Sequence, residues 1–256
     1  MVSWPDLGTR VTVRYRRRPG SVPPLTDAVG HLLAVDPVVR VRTKTGAVVE
    51  FAADDVVALR VLTDAPVRTS AIRALEHAAA AAWPGAEQAW LDGWLLRAGD
   101  ESGFAANSAV PLDISAQIST IPAIVAWYDR RGQTPLLAIP DRLLTLPRTP
   151  AADHTERVLV RDVGELAARE PDPSIAGSDP PTGAAVTDAP DGVRWVGLST
   201  PREALLVWGA HRGATRGYIA VGEGDAVNAT LADGLGFRLH HRRRYFEARS
   251  TAWDTV

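Results

Sequence analysis

Residues Arg216–Phe237 read RGYIAVGEGDAVNATLADGLGF. The stretch has four pieces in order. RGYIAV is a β-rich apolar run, and GEGD is a polar turn. AVNATLADG is a short helix, and Leu235-Gly236-Phe237 stops it with a glycine. A strand feeding a helix across a tight turn requires a fold in which helices cover a sheet.

Upstream, AAVTDAPDGVRWVGLST (Ala184–Thr200) is expected to form a hairpin about the Pro190-Asp191-Gly192 turn. PREALLVWGAHRGA follows as a helix, with Pro201 suited to its first turn. RVLVRDV (Arg157–Val163) is a strand, and Ala167–Gly183 is rich in Pro, Gly, Ser and Asp, so it is expected to be a loop or disordered linker. Downstream, RLHHRRRYFEA is a final strand that clusters His240, His241 and Arg242 to Arg244. Neighbours in a strand point to opposite faces, so the two histidines are not expected to share a site. No HExxH spacing occurs, and no metal is expected.

The middle of the chain repeats the α+β pattern. AIRALEHAAAAAW is a helix with Leu75, Ala79 and Trp83 on one face, capped by Thr69 or Ser70. WLDGWLLRA and GFAANSAV are expected strands about the turn GDES, SAQISTIPAIVAWYDRRG a helix despite Pro122, and TPLLAIP a buried strand. The first sixty residues differ. TRVTVRY, DAVGHLLAVD, VVRVRT, AVVEF and ALRVL alternate with period two, and Lys44-Thr45-Gly46 marks a hairpin. Five short strands favour a small barrel. The Thr63–Ser70 stretch suits a boundary, giving domains 1–65 and 66–256.

Composition narrows the function. The 256 residues carry a formal net charge of −2, which argues against nucleic acid as a partner for the whole surface. The run Arg14, Arg16, Arg17, Arg18 lacks interleaved aromatics and is weighted as a solvated loop rather than a phosphate-binding arm. There is no cysteine, so disulfides and thiolate chemistry are excluded. No apolar run spans a bilayer and the first residues lack signal-peptide order, so no membrane is expected and a cytoplasmic location is. GxSxG, P-loop and GxGxxG motifs do not occur.

The segments Ala82–Gly99 (AWPGAEQAWLDGWLLRAG), Ala106–Leu112 (ANSAVPL) and Ala126–Pro140 (AWYDRRGQTPLLAIP) resemble those of GNAT-fold acetyltransferases. GDAVNATLADGLGF is similar to the closing helix of the same family. With the small barrel in front, the chain resembles an actinobacterial two-domain group described as N-acetylglutamate synthase-like or histone-acetyltransferase-like. The resemblance implies an α+β chain: an SH3-like β-barrel, then a GNAT fold with a mixed, splayed sheet flanked by helices. It implies transfer of acetyl from acetyl-CoA, used as substrate, to an amine: an amino acid such as glutamate, a small amine or a protein lysine. Val196, Gly197, Leu198 and Ser199 would lie along the cofactor arm, with Asn228 beside it. Asn107 and Ser108 would face the acceptor or else close a hairpin.

Two departures stand out. The family's R-x-x-G-x-G/A loop, which holds the CoA pyrophosphate, is missing between Thr200 and Pro201, and the segment before Ala184 is short. Ala232 stands where many members carry a tyrosine that protonates the leaving thiolate. A non-catalytic acyl-CoA-binding or interaction protein on the same scaffold is therefore the alternative. No catalytic residue is singled out; Asp92, Asp100, Glu101 and Asp113 are unranked options for a base, and the oligomeric state, a homo-oligomer included, stays open.

Overall fold

A computed structural model describes residues 4–5, 7–43, 45–62, 67–99, 103–146, 151–176, 180–250 and 253. Lys44, Asp100, Glu101, and the linker residues 63–66 therefore lie outside the described residues. The chain divides into two compact units, Met1–Pro66 and Val67–Val256.

The first unit holds β1 (Arg10–Arg16), β2 (Leu25–Ala34), β3 (Val39–Thr43), β4 (Val48–Phe51) and β5 (Val56–Val61). They form one antiparallel sheet in the order β4-β3-β2-β1-β5. Alternation in sequence becomes alternation in burial: Val11 and Val13 are buried, while Arg14 and Arg16 face solvent. Val39, Val41, Leu32 and Phe51 complete a small core, and Tyr15 stacks on Phe51 at 4.0 Å between ring centroids. Arg14 forms a two-point ion pair with Asp27, which leaves the exposed Arg16, Arg17 and Arg18 as the cationic end of this run.

The second unit continues with α1 (Thr69–Ala82), β6 (Glu87–Leu91), β7 (Trp94–Ala98), β8 (Ala109–Pro111), α2 (Ile121–Asp129), β9 (Leu136–Pro140) and β10 (His154–Asp162). Then come α3 (Pro173–Ala176), β11 (Ala184–Asp188), β12 (Arg194–Leu198), α4 (Glu203–His211), β13 (Arg216–Gly222), α5 (Ala226–Gly234) and β14 (Arg238–Glu247). Nine strands make one mixed sheet, ordered β11-β12-β13-β10-β14-β9-β8-β7-β6. Two parallel contacts interrupt the antiparallel pairing, β8 with β9 and β12 with β13. Each joins strands linked by a helix, α2 in the first case and α4 in the second.

Three differences from the sequence expectations have local causes. The return from β7 is a turn over Phe104–Ala106, and only Ala109–Pro111 is strand. Pro122 sits in the first turn of α2, where a missing N–H costs nothing, and a 3₁₀ turn over Ile118–Thr120 leads into it. The Pro-rich stretch before Ala184 is not all loop: Gly164–Ala168 is a 3₁₀ helix and Pro173–Ala176 a single helical turn, with Leu166 and Ile175 buried under α4.

Helices cover both faces. Leu205, Leu206, Trp208 and Phe237 pack with Ile219 and Val221 on one side. On the other, Leu75, Ala78 and Ala79 of α1 lie on Val158, Trp195 and Tyr218. α4 approaches β12 so closely that a Cβ on Gly209 would lie 2.4 Å from Val196, so only glycine fits there.

Candidate active site

β12 pairs with β13 from Trp195↔Arg216 to Leu198↔Ile219, and its other edge pairs with β11 over the same length. Beyond Leu198 the chain turns into α4, while β13 runs on through Ala220 and Val221 beside β10. The backbone of Val196, Gly197 and Leu198 is therefore committed to the sheet. The wedge between the parallel strands opens at Ser199, whose N–H donates to Gly183 at 2.9 Å.

A cavity of about 350 Å³ lies at this opening, lined by Leu198, Ser199, Tyr218 and Ala220 from the strand ends. Glu76 and Trp83 from α1, Phe104, Arg97, Glu156 and Arg243 close it. A larger groove of about 630 Å³ runs along the start of α2, but among the described residues no carboxylate lines it. The carboxylates Glu76 and Glu156 are in the smaller cavity.

The polar groups there form one network. Arg243 of β14 donates through Nη2 to Glu76 Oε1 at 2.7 Å and through Nε to Glu76 Oε2 at 3.1 Å. Its Nη1 donates to Glu156 Oε2 at 3.0 Å, which also accepts from the Tyr245 hydroxyl at 2.9 Å. His241 Nε2 lies 2.7 Å from Glu76 Oε1. Burial alone would raise the Glu76 pKa, but the Arg243 charge and the His241 hydrogen bond overcome it and hold it down to about 2. Burial works against the Arg243 charge too, yet Glu76, Tyr245 and Glu156 together raise its pKa. Glu156 Oε1 faces His154 at 3.9 Å, beyond hydrogen-bond distance.

Tyr218 is buried, and burial pushes its phenol pKa well up. Its hydroxyl lies near Trp83 but meets no partner at hydrogen-bonding geometry among the described residues. The ring crosses over Gly197: a Cβ there would sit 2.3 Å from the Tyr218 oxygen. Gly197 thus places Tyr218 at the cavity.

His240 and His241 meet, against the expectation from strand alternation. The β14–β10 register shifts between Val158↔His241 and Leu159↔Leu239, so His240 is an extra, bulged residue. The bulge cancels the alternation and brings the two Nδ1 atoms to 2.8 Å. Among the described residues no cluster of three or more metal-ligating side chains forms.

The residues singled out from sequence lie mostly elsewhere. Leu198 and Ser199 line the cavity; Val196 and Gly197 support it from within the sheet. Asn228 is the third residue of α5 and serves its cap: Asp225 accepts from its N–H at 3.0 Å and from its Nδ2 at 2.6 Å. Asn107 accepts from Gly99 N–H at 2.8 Å and donates to Gly103 O at 3.1 Å, closing the turn before β8. Ser108 is fully buried. Asp92 is exposed in the β6–β7 turn, and Asp113 is tied to Ser115, whose backbone N–H holds its pKa below the usual range. Ala232 is buried in the core beside Phe237, away from the cavity lining.

The pyrophosphate end of a CoA ligand finds little here. Pro201, expected in the first turn of α4, lies one residue before its N-cap Arg202 and has no N–H to offer, and the first turn carries the carboxylate of Glu203. Arg202 supplies a cation, but no side chain caps the helix. The cavity itself offers a buried phenol and a partly engaged carboxylate.

A mixed sheet with a β12–α4–β13 parallel pair opening on such a cavity fits the GNAT class of N-acetyltransferases that the sequence resembles. Family models assign both parts: "Rv0428c N-terminal Sm-like domain" matches residues 5–60, and "Probable histone acetyltransferase Rv0428c C-terminal" matches 69–184 and 182–246. The chain belongs to this Rv0428c family, and its first unit is Sm-like within the broader SH3-like type. It is 57% identical to "Probable histone acetyltransferase Rv0428c" of Mycobacterium tuberculosis (strain ATCC 25618 / H37Rv), with all of both chains covered. That alignment has 306 positions against 256 residues here, so 50 positions of the relative face no residue of this chain. The two matches to the C-terminal model overlap at residues 182–184. A GCN5-related N-acetyltransferase from Kribbella flavida superposes with a TM-score of 0.45 at 11% identity, over 70% of this chain and 96% of that one. No helix among the described residues is long and apolar enough to cross a membrane.

Proposed function

We propose that this chain is an acetyl-CoA-dependent N-acetyltransferase of the cytoplasm. It passes acetyl to an amine: an amino acid such as glutamate, a small amine or a protein lysine. The observation that carries this is the cavity at the open end of the β12–β13 pair, with Glu156 and Tyr218 on its walls. Glu156 Oε1 is the carboxylate oxygen left to hold the incoming ammonium and take its proton. The amine nitrogen then bonds to the acetyl carbon as the carbon–sulfur bond breaks, and it sheds its second proton to solvent, from which the donor to the thiolate is restored. Tyr218, kept protonated by burial, is placed to give the departing thiolate its proton, a role that Ala232 cannot fill.

A second reading, a non-catalytic acyl-CoA-binding scaffold, has one observation in its favour: the α4 N-terminus offers Pro201 and Glu203 where the phosphate loop belongs. Calorimetry with acetyl-CoA and thiol release over an amine panel separate the two. The proposal expects binding and turnover. Failure to bind acetyl-CoA sinks it, and binding without turnover on any amine favours the scaffold.

A further inference from the structure

The cavity holds two carboxylates and two guanidiniums, but they do not form two pairs. Glu76 and Glu156 both lean on Arg243. Arg97 is left over. It is 4% exposed and lines the cavity. Its Nη1 donates to the Trp83 carbonyl at 3.2 Å, its Nε has no acceptor, and no carboxylate comes within ion-pair distance among the described residues. Its backbone is fixed: the Tyr128 hydroxyl donates to the Arg97 carbonyl at 2.8 Å.

A guanidinium stays charged at any working pH, so it cannot escape burial by losing its proton. A buried charge without a counter-ion is strongly unfavourable. The fork of N–H donors matches a carboxylate. A phosphate would bring extra negative charge against Glu76 and Glu156 in the same small space. An amine that bears a carboxylate brings one charge of each sign, and the cavity offers one open group for each, Arg97 and Glu156.

We propose that the acceptor is an amine carrying its own carboxylate, a free amino acid, whose carboxylate pairs with Arg97 while its nitrogen faces Glu156. This rests on the acetyltransferase function proposed above. It selects among the three acceptor types and sets aside a lysine within a protein, which has no carboxylate beside its amine.

The test uses the full chain. Binding of the common free amino acids is measured by calorimetry against their α-carboxamides, and acetyl transfer is followed for both sets and for a lysine-containing peptide. At least one amino acid is expected to bind about tenfold or more tighter than its amide, as loss of one partner of a buried charge pair implies. Arg97→Gln is expected to erase that preference, while Arg97→Lys keeps part of it. The acid-against-amide comparison needs no variant, so it stands even where Arg97→Gln does not fold. Equal binding of acids and amides, no binding of any amino acid, or a preference that survives in a folded Arg97→Gln overturns the inference. Full-rate transfer to amides or peptide overturns it too and leaves the acetyltransferase function standing. Arg97-dependent binding with no acetylated product leaves the carboxylate site standing and overturns the transfer reaction instead.

Discussion

Replacing Glu76 with glutamine is expected to destabilise the second unit by about 3–5 kcal/mol at neutral pH, the usual loss when one partner of a buried ion pair is removed. Glu76 is 2% exposed, and its two oxygens take N–H groups of Arg243 at 2.7 and 3.1 Å and the His241 ring at 2.7 Å. Glutamine keeps the shape but leaves the guanidinium with Glu156 alone. The pH dependence gives an independent measure. The carboxyl is held at about 2, against 4.5 for a free glutamate. A depressed pKa contributes stability that is complete above the unfolded value and is lost as pH falls through the folded one. That contribution is on the order of 3 kcal/mol, present above about pH 4.5 and lost toward pH 2. Urea denaturation followed by tryptophan fluorescence at pH 7, 5 and 3.5 reads both effects. The gap between wild type and Glu76→Gln should be widest at pH 7 and narrow at pH 3.5. Exchanging both partners, Glu76→Leu with Arg243→Met, should cost less than the sum of the two single changes, because neither is left without the other, while Glu156 keeps only the Tyr245 hydroxyl. A gap below about 1 kcal/mol at pH 7, or one that does not narrow on acidification, would refute a structural ion pair at this position.

Three further outcomes are expected. Gly197→Ala places a methyl 2.3 Å from the Tyr218 oxygen, and the rigid ring must move; a loss of about 1–3 kcal/mol in denaturant is expected, with Tyr218→Ala in the same chain recovering part of it. Asp225→Ala removes the α5 cap and should lower the melting midpoint by about 2–4 °C, while Asp225→Asn should retain most of it. Arg14→Ala breaks an ion pair that is exposed on both sides, and the midpoint should stay within about 1 °C of wild type; a larger drop would mean the pair does more than its exposure allows.

The first unit was legible because its strands alternate cleanly: Val11 and Val13 inward, Arg14 outward, and a glycine at the hairpin. The β11–β12 hairpin was legible from Pro190-Asp191-Gly192. The cavity was not. Its walls come from α1, β7, β10, β12, β13 and β14, separated by up to most of the unit's length, and pairing across a sheet leaves no local pattern. Glu76 stands in an alanine-rich helix whose apolar face explains Leu75 and Ala79 without it. Arg97 is a lone charge in an otherwise apolar strand with all five residues buried, the one cue in the sequence that something polar must meet it. Tyr218 read as an ordinary strand residue; its position depends on a glycine in the neighbouring strand. The bulge at His240 follows from register with β10, which no residue of β14 announces.

That bulge makes the histidine pair a reporter. Two Nδ1 atoms at 2.8 Å share a single proton, so one ring donates and the other accepts. With its ring hydrogen given from Nε2 to Glu76, His241 accepts at Nδ1, and His240 carries its hydrogen on Nδ1. His240, half-buried and held neutral with a pKa of about 4 by burial, thus carries a tautomer dictated by the contact its neighbour makes with Glu76. Nitrogen chemical shifts of this one ring would display, from a bulge in the middle of the sheet, whether the contact with the buried carboxylate is made.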